Sequence, residues 1–288
     1  MCNNKFKILV GGYDMSELKG IPESMLIPLV AKARETLSDM PIIDDPLSVK
    51  IIKEIDDLVL DTYVDWLSQL GISIRTEILD EIVINFIKHA NHPFIINIGC
   101  GLDTRLSRLK LNKIPWIDID VPESINLRKR FFNETYFYKM INKSMFDYSW
   151  IDDVKSNVHF KEDSEILIIF EGVLMYFEKE EVQAVYKEIA RSFDQHHLVI
   201  ASEFCSKFMT KHTNNHPSVS KLSSKPLFKF GYNNVAELKD ILPGSWKVVK
   251  EYNYFDRYSH RWRYLKWFKY IVFLKNRFNK KIVLIKNT

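Results

Sequence analysis

The feature that most constrains the fold is a series of short apolar runs separated by helical patterns. Five such runs occupy residues 94–98, 116–119, 136–141, 166–170 and 198–201. These runs are apolar apart from Asn97, Asp118 and Lys139, and mostly apolar runs of this length are typical of strands that are buried on both faces of a sheet. The clearest helical pattern follows the fourth run and places Val182, Val185, Tyr186, Ile189 and Phe193 on one side. Strands that alternate with helices predict βαβ units and a parallel sheet with helices on both faces.

The two ends of the chain differ from this central region. Residues 1–90 show mostly helical spacing, and segments 246–252 and 281–285 predict two final strands joined by a long connection. We therefore expect an α/β, Rossmann-like core over residues 91–288 with a mostly parallel seven-stranded sheet, preceded by an N-terminal helical cap over residues 1–90. The weakly periodic stretch 205–245 follows the fifth strand, and we expect it to form a lid over the active site.

Composition limits the possible partners and location. The chain has 288 residues and a net charge of +4, which is too small to indicate nucleic-acid binding. No stretch approaches the roughly 18 uncharged apolar residues of a membrane helix, and the apolar run 8–12 is too brief for a signal peptide. Cys2, Cys100 and Cys205 form no CxxC pair and are expected to be free thiols. We expect a cytoplasmic protein with no nucleic-acid or membrane partner.

The sharpest local signal is the glycine-containing segment that follows the first strong strand. Gly99 and Gly101 stand at the end of this strand, where a chain must turn tightly and approach a ligand. A dinucleotide site would have a third glycine at position 104, but this residue is Thr104. No GxxxxGK[ST] pattern occurs either. The segment therefore favours a nucleoside without a pyrophosphate.

Carboxylates follow two of the neighbouring strands. The second run ends at Asp118-Ile119-Asp120, and a carboxylate there can accept hydrogen bonds from both ribose hydroxyls. We favour Asp120 over Asp118 because it stands at the strand end, just before Pro122 can start a helix. The fourth run leads into Glu171, which is expected to face the same crevice and to hold an ammonium group of a cofactor or to orient a substrate.

These segments together resemble the leucine carboxyl methyltransferase family, and more narrowly its bacterial branch of polyketide-synthesis O-methyltransferases of the tetracenomycin type. The matching segments are Arg75-Thr76-Glu77-Ile78-Leu79-Asp80, Asn97-Ile98-Gly99-Cys100-Gly101-Leu102-Asp103-Thr104-Arg105, Asp118-Ile119-Asp120-Val121-Pro122, Ser144-Met145-Phe146-Asp147 and Phe170-Glu171-Gly172-Val173-Leu174-Met175-Tyr176-Phe177. The resemblance covers about residues 25–210. It implies a class I methyltransferase fold and S-adenosyl-L-methionine as the cofactor.

The resemblance also implies a role for each matching residue. Arg75 would pair with the methionine carboxylate of the cofactor, a group that suits a guanidinium. Gly99 would lie against the methionine portion, Asp120 would bind the ribose, and Glu171 would lie beside the amino-acid end.

Two further assignments depend on positions where the match is looser. Ser144 and Met145 would flank the adenine, although the family usually has Asp-Leu there, which leaves backbone contacts as the basis for adenine recognition. The family also places a basic residue in the N-terminal cap. Lys32 is our candidate for it and Arg34 is the competitor.

The resemblance favours an O-methyltransferase that acts on a carboxylate or hydroxyl of a small, polyketide-like molecule. Methyl transfer from a sulfonium mainly requires alignment and exclusion of water. A carboxylate acceptor needs no base, whereas a hydroxyl acceptor needs one. We assign no catalytic residue, with Glu171, Tyr176 and the histidines of the lid as candidates. The alternatives are a non-catalytic cofactor-binding protein and a nicotinamide-dependent oxidoreductase.

Two other features carry competing interpretations. His212 and His216 have the i, i+4 spacing of a helical metal site, but no third ligand is evident and we predict no metal. Residues 257–269 combine five basic residues with aromatic ones. This stretch could bind an anionic substrate, RNA or a membrane surface, or it could form an amphipathic helix that packs on the core with its charges in water. The second interpretation is the one we expect.

Overall fold

The described residues before position 90 are mostly helical, as their apolar spacing predicts. The computed structural model describes residues 9–10, 13–14, 24–55, 64–215, 218–222 and 224–287. Strands β1 (Leu9–Val10) and β2 (Tyr13–Asp14) form a small hairpin, and the helices are α1 (Leu26–Thr36), α2 (Pro46–Ile55) and α3 (Trp66–His89). Asp65 precedes α3 and caps its N-terminus, because its side chain accepts hydrogen bonds from the backbone N–H groups of Leu67 and Ser68.

A seven-stranded sheet forms the centre of the molecule. Its strands are β3 (Pro93–Ile98), β4 (Trp116–Asp120), β5 (Tyr138–Asn142), β6 (Glu165–Phe170), β7 (Leu198–Phe204), β8 (Trp246–Asn253) and β9 (Lys281–Asn287). The strand order is β5-β4-β3-β6-β7-β9-β8. Strands β3 to β7 are parallel to one another, and β9 is antiparallel to both of its neighbours. The predicted α/β fold with a mostly parallel seven-stranded sheet is therefore confirmed.

Short helices connect the strands. They are α4 (Arg105–Arg108), α5 (Pro122–Arg128), α6 (Trp150–Lys155), α7 (Lys179–Ser192), α8 (Lys207–Lys211) and α9 (Val272–Arg277), with 3₁₀ helices at Leu174–Tyr176, Thr213–Asn215, Val219–Lys221, Val235–Asp240, Tyr254–Asp256 and Ser259–Tyr270. Helix α7 begins with a capping box, in which Glu178 and Glu181 bond each other's backbone N–H groups.

The continuous apolar runs become strands because both faces of the sheet are covered. Ile95 and Leu167 pack on one face with the N-terminal helices. Ile96 and Ile168 pack on the other face with α7, which buries Val182 and its neighbours. Alternate residues of each strand thus enter different apolar clusters, so no position along these strands needs to be polar.

The C-terminal basic stretch departs from the sequence prediction. Residues 257–269 do not form the expected amphipathic α-helix. Ser259–Tyr270 is a 3₁₀ helix interrupted at Arg263, whose backbone has φ 51° and ψ −126°. The interruption turns the chain, so that Trp262 is buried whereas Tyr264 is exposed. None of the helices within the described ranges has the length and apolar character needed to cross a bilayer.

Candidate active site

A large cavity opens at the carboxyl ends of the central parallel strands. Its volume is about 940 Å³. The segments that follow β3, β4, β5 and β6 line it on one side, and α1, α3 and the segment after β7 line it on the other. All eight cofactor-binding residues suggested by the sequence lie in its wall, namely Lys32, Arg75, Gly99, Gly101, Asp120, Ser144, Met145 and Glu171. The topology therefore brings together side chains that are up to 139 positions apart in the sequence.

The turn after β3 requires its two glycines for conformation and for space. Gly99 has φ +70° and Gly101 has φ +47°, in the left-handed region that other residues rarely adopt. A Cβ at Gly99 would lie 2.8 Å from Cγ2 of Val173, and one at Gly101 would lie 2.9 Å from Cβ of Met25. The loop thus presents bare backbone to the cavity, because side chains at these positions would collide with its walls.

The two aspartates of β4 have different surroundings. Asp118 is fully buried, its carboxylate pairs with Arg128 at 2.6 Å, and it accepts a hydrogen bond from Tyr138 at 2.7 Å. It does not line the cavity. Asp120 does, and its Oδ2 accepts a hydrogen bond of 2.7 Å from the backbone N–H of Gly101. Burial raises the pKa of Asp120 above its usual range. Asp118 therefore has a structural role, and Asp120 is the carboxylate that a ligand can reach.

Arg75 is clamped between two carboxylates. Its Nη2 lies 2.8 Å from Oε1 of Glu171, and its Nη1 lies 2.9 Å from Oε2 of Glu203. Its Nε is buried and has no hydrogen-bond partner among the described residues. Burial alone would raise the pKa of Glu171, but the guanidinium groups of Arg75 and Arg105 together hold it below its usual range. Glu171 is therefore an ionised acceptor at the cavity wall.

A second cluster of charges supports this wall from behind. Arg105 is fully buried and pairs with Asp103 at 2.6 Å and with Glu171 at 2.6 Å. Lys32 is 2% exposed, and its Nζ donates to Oγ1 of Thr104 at 3.1 Å and lies 3.4 Å from Oδ1 of Asp103. Thr104 therefore stands where a dinucleotide site has its third glycine, and its hydroxyl takes part in this cluster.

Lys32 and Arg34, the two candidates for the basic residue of the N-terminal segment, face different surroundings. Lys32 lines the cavity. Arg34 does not, and its guanidinium donates a 2.5 Å hydrogen bond to the carbonyl oxygen of Val64. This geometry favours Lys32 over Arg34.

Ser144 and Met145 follow β5 and lie in the cavity wall. Met145 is 5% exposed, and its carbonyl oxygen accepts a hydrogen bond from the indole of Trp150. The hydroxyl of Ser144 accepts a hydrogen bond of 3.3 Å from the backbone N–H of Phe146. The Ser144 side chain is thus used locally, and it presents no carboxylate to the cavity.

Sequence reasoning missed Glu203 and Tyr254. Glu203 is fully buried near the end of β7, two residues beyond the predicted fifth run, and it accepts a hydrogen bond of 3.0 Å from the hydroxyl of Tyr254. Both residues line the cavity. A charged residue close behind a buried run was the available signal, and the same kind of signal identified Glu171, which follows its run directly. The partnership with Arg75, 128 positions away, had no local signal.

The other end of the cavity is apolar and largely aromatic. Its lining includes Phe208, Phe228, Phe255, Trp262, Tyr264, Leu265, Phe268 and Phe278. His212 also lines it, and its ring stacks on Phe208 with centroids 4.1 Å apart. His216, its proposed metal-binding partner, lies outside the described residues. Within the described ranges, no three potential metal-ligand side chains cluster together.

The lining side chains carry an excess of negative charge. The basic ones are Lys32, Arg75 and Lys280, and the acidic ones are Asp103, Asp120, Glu123, Glu171 and Glu203. Three cations against five carboxylates give a formal charge of −2. Such a wall favours a ligand with net positive charge.

Known proteins share both sequence and fold with this chain. The family model for leucine carboxyl methyltransferase matches residues 26–190. The tetracenomycin polyketide synthesis O-methyltransferase TcmP of Streptomyces glaucescens is 28% identical over 177 residues, which cover 60% of this chain and 63% of that protein. The S-adenosyl-L-methionine-dependent methyltransferase dpfgK of Gibberella zeae is 28% identical over 190 residues, which cover 61% and 62%. The chain thus spans less than two thirds of the length of either relative.

Solved structures share the fold at low sequence identity. A DUF574 family protein from Streptomyces avermitilis has a TM-score of 0.58 at 10% identity, covering 95% of this chain and 99% of that protein. A protein from Thermobifida fusca has a TM-score of 0.53 at 12% identity, covering 91% and 94%. Because the family model matches more than half of the sequence, including the glycine loop, Asp120 and Glu171, the chain belongs to the leucine carboxyl methyltransferase family.

Proposed function

We propose that this protein is an S-adenosyl-L-methionine-dependent O-methyltransferase that acts on a small molecule. The observation that carries the proposal is the common cavity, in which a bare glycine loop, Asp120 and the Arg75–Glu171 pair lie beside a large aromatic chamber. The bound cofactor supplies a methyl group on a sulfonium, which is activated for in-line displacement. Family membership and the two methyltransferase relatives support the same activity.

The residues present fit this cofactor. The cofactor carries a sulfonium, an ammonium and a carboxylate, and its net positive charge complements the formal −2 of the wall. Gly99 and Gly101 line the cavity with backbone alone, so a ligand can approach the main chain there. The cavity of about 940 Å³ is at the upper end of the usual range of ligand sites, and it has room for a cofactor and an acceptor together.

The chain's own residues would divide the recognition between them. Asp120 would accept hydrogen bonds from the ribose hydroxyls, and Glu171 would accept from the ammonium. Arg75 would meet the carboxylate, and because its two Nη atoms are already paired, its buried Nε is the donor that has no partner among the described residues. Lys32 would add positive charge near the same end.

The adenine end would depend on contacts of a different kind. Gly101 would approach the cofactor with its backbone, while Ser144 and Met145 would flank the adenine with backbone groups and one apolar side chain. This assignment follows from their place in the wall and from their position in the family motif.

The acceptor would occupy the aromatic chamber. A carboxylate acceptor is ionised at neutral pH, so alignment and exclusion of water are sufficient for transfer. We assign no catalytic residue. The helical region over residues 1–90 and the insertion over 205–245 would form the cap and the lid, since both contribute to the wall through residues such as Ile72 and Phe228. Buried free thiols at Cys100 and Cys205 support a cytoplasmic site of action.

Calorimetry with S-adenosyl-L-methionine tests the first step. The wild-type chain should bind it, and Asp120→Asn should weaken binding by about tenfold or more because a charged acceptor of hydrogen bonds is lost. Asp194→Asn changes an exposed aspartate outside the cavity and serves as the matched control. Equal affinities of the two variants would contradict the role of Asp120, and no binding by folded wild-type protein would reject the proposed function.

Transfer is tested separately with a methyl-labelled cofactor and a panel of aromatic carboxylic acids and phenols. Label should appear in at least one acceptor. Cofactor binding without transfer to any member of the panel would favour the non-catalytic alternative.

A further inference from the structure

Exposed apolar side chains concentrate in one short segment near the C-terminus. Seven of the fifteen large hydrophobic residues that are exposed among the described residues lie between positions 264 and 278. They are Tyr264, Trp267, Tyr270, Ile271, Val272, Phe273 and Phe278. Single exposed hydrophobic residues are normal, but a contiguous group marks an interaction surface.

The same segment is uniformly basic. Residues 257–288 contain ten lysine and arginine residues and no aspartate or glutamate, whereas the rest of the chain has a formal charge of −6. Several of the ten are paired, such as Arg257 with Glu77 and Arg261 with Glu35. Within the described ranges no carboxylate pairs with Arg263, Lys266, Lys269 or Arg277. We call these four residues, together with residues 264, 267 and 270–273, the basic aromatic face.

Charges and rings alternate closely on this face. The ammonium of Lys266 lies 5.2 Å from the ring centroid of Trp267, and that of Lys269 lies 4.7 Å from the centroid of Tyr270. Rings beside cations suit the boundary between lipid headgroups and acyl chains, where one part of the surface is apolar and the other is wet.

We propose that the basic aromatic face docks on the surface of a bilayer that contains anionic lipids. Four cations that have no carboxylate partner among the described residues match the negative headgroups, and the exposed rings with Ile271 and Val272 match the acyl boundary. This binding is peripheral, because α9 is only six residues long. This proposal differs from our prediction from the sequence that the protein has no membrane partner. That prediction assumed that the aromatic side chains of this region pack on the core.

The position of the face relative to the cavity gives docking a consequence. Tyr264 is 73% exposed and also lines the cavity, and Leu265 and Phe268 of the same segment line it too. The cavity therefore reaches the surface beside the basic aromatic face, and docking would bring its aromatic end close to the bilayer.

The chemistry of the face disfavours two other occupants. In a two-fold dimer the same patch meets itself, so four unpaired cations would face four more. Single-stranded RNA would suit the cations and the rings, but it would leave Ile271 and Val272 without a partner. A lipid boundary accommodates all three kinds of side chain.

Vesicle sedimentation with the full chain tests the proposal. Wild-type protein should bind phosphatidylcholine vesicles containing phosphatidylglycerol, bind pure phosphatidylcholine much more weakly, and lose binding as salt rises. The double variant Trp267→Ala/Phe273→Ala should reduce the partition coefficient by about tenfold or more. The matched control is Tyr136→Ala, which removes an aromatic side chain that is 67% exposed and lies outside the face. It should bind as wild type does.

Three results would overturn the proposal. One is the absence of wild-type binding to either kind of vesicle, with circular dichroism showing a folded protein. Another is equal binding by the double variant and the wild type. The third is use of the face by a different partner. This would be seen as a wild-type dimer in sedimentation velocity that the double variant converts to a monomer, or as binding of RNA that is tighter than binding of vesicles and that the same variant abolishes. Neither substituted residue lines the cavity, so cofactor affinity should stay unchanged and this test is independent of the proposed function.

Discussion

The glycine loop allows a sharp test, because the same substitution should have opposite effects at two glycines of the cavity wall. Gly99 has φ +70°, and an added Cβ would lie 2.8 Å from Cγ2 and 2.9 Å from Cβ of Val173. Gly71 lies inside α3, and no described atom would lie within 4 Å of its added Cβ. We expect Gly99→Ala to destabilise the fold and Gly71→Ala to stabilise it.

The magnitudes follow from these surroundings. The left-handed conformation costs a residue with a Cβ about 1–2 kcal/mol, and forcing a methyl group into a packed wall costs about 1–3 kcal/mol more. The added methyl group would meet the Cβ of Val173 as well as its Cγ2, so a rotation of the Val173 side chain alone does not relieve the clash. The loss for Gly99→Ala is therefore about 2–5 kcal/mol of unfolding free energy. Alanine inside a helix is favoured over glycine by about 0.5–1 kcal/mol, which is the expected gain for Gly71→Ala.

Urea denaturation followed by circular dichroism measures both changes in unfolding free energy, and thermal denaturation measures the corresponding shifts in Tm. For a domain of this size, the Tm of Gly99→Ala should fall by roughly 4–20 °C, and that of Gly71→Ala should rise by a few degrees. A Gly99→Ala variant within about 0.5 kcal/mol of wild type would refute the reasoning, since surface substitutions without a structural effect fall in that range. The same conclusion would follow if both variants lost stability equally.

Three further predictions concern the charged wall of the cavity. Glu203→Gln removes one of the two carboxylates that hold Arg75, and it should weaken cofactor binding by about tenfold in calorimetry, whereas unchanged affinity would assign Glu203 to folding alone. Ser144→Asp restores the carboxylate usual in the family, and it should tighten binding about fivefold if the side chain reaches the adenine amino group; weaker binding would place the adenine elsewhere. Because the pKa of Glu171 lies below its ordinary value of 4.5, its ionised form stabilises the fold above pH 4.5, and this contribution is lost as pH falls through the lower folded-state pKa. Denaturation at pH 7, 5 and 4 should show this loss below pH 4.5 in the wild type and a smaller loss in Glu171→Gln.

The fold was largely predictable because its signals are local. The strands of the parallel sheet appear as mostly apolar runs in the sequence, since burial on both faces favours apolar residues. The third predicted run begins at Tyr136, two residues before β5 begins at Tyr138. The aromatic ring of Tyr136 suggested a buried strand residue, but this side chain is 67% exposed in the structure. Strands β8 and β9 were also found from their composition. Their pairing, with β9 between β7 and β8, is set by the whole sheet and has no signal in either segment.

The residues themselves pointed to the site only at strand ends, whereas Lys32 and Arg75, which lie on helices and also line the cavity, were suggested by the family resemblance. Gly99, Asp120 and Glu171 stand at such strand ends, and all three line the cavity. Glu203 was missed, although it occupies the same kind of position on β7. A buried glutamate is tolerable there because Arg75 and Tyr254 bond its two oxygens. Such compensation depends on residues from three distant parts of the chain, and no pattern within one segment reveals it.

The C-terminal segment shows most clearly why a sequence pattern does not determine exposure. Trp262 and Trp267 stand five positions apart in equally basic surroundings, but Trp262 is 3% exposed and Trp267 is 61% exposed. The interruption at Arg263 lies between them, and after it Tyr264 and Trp267 are exposed whereas Phe268 still packs on Phe255. Leaving a large aromatic side chain in water forgoes about 1.5–3 kcal/mol of burial, and unpaired cations next to one another repel. Both costs are removed at an anionic bilayer, so the residues that are unfavourable for an isolated fold are the ones that a membrane-docking face requires.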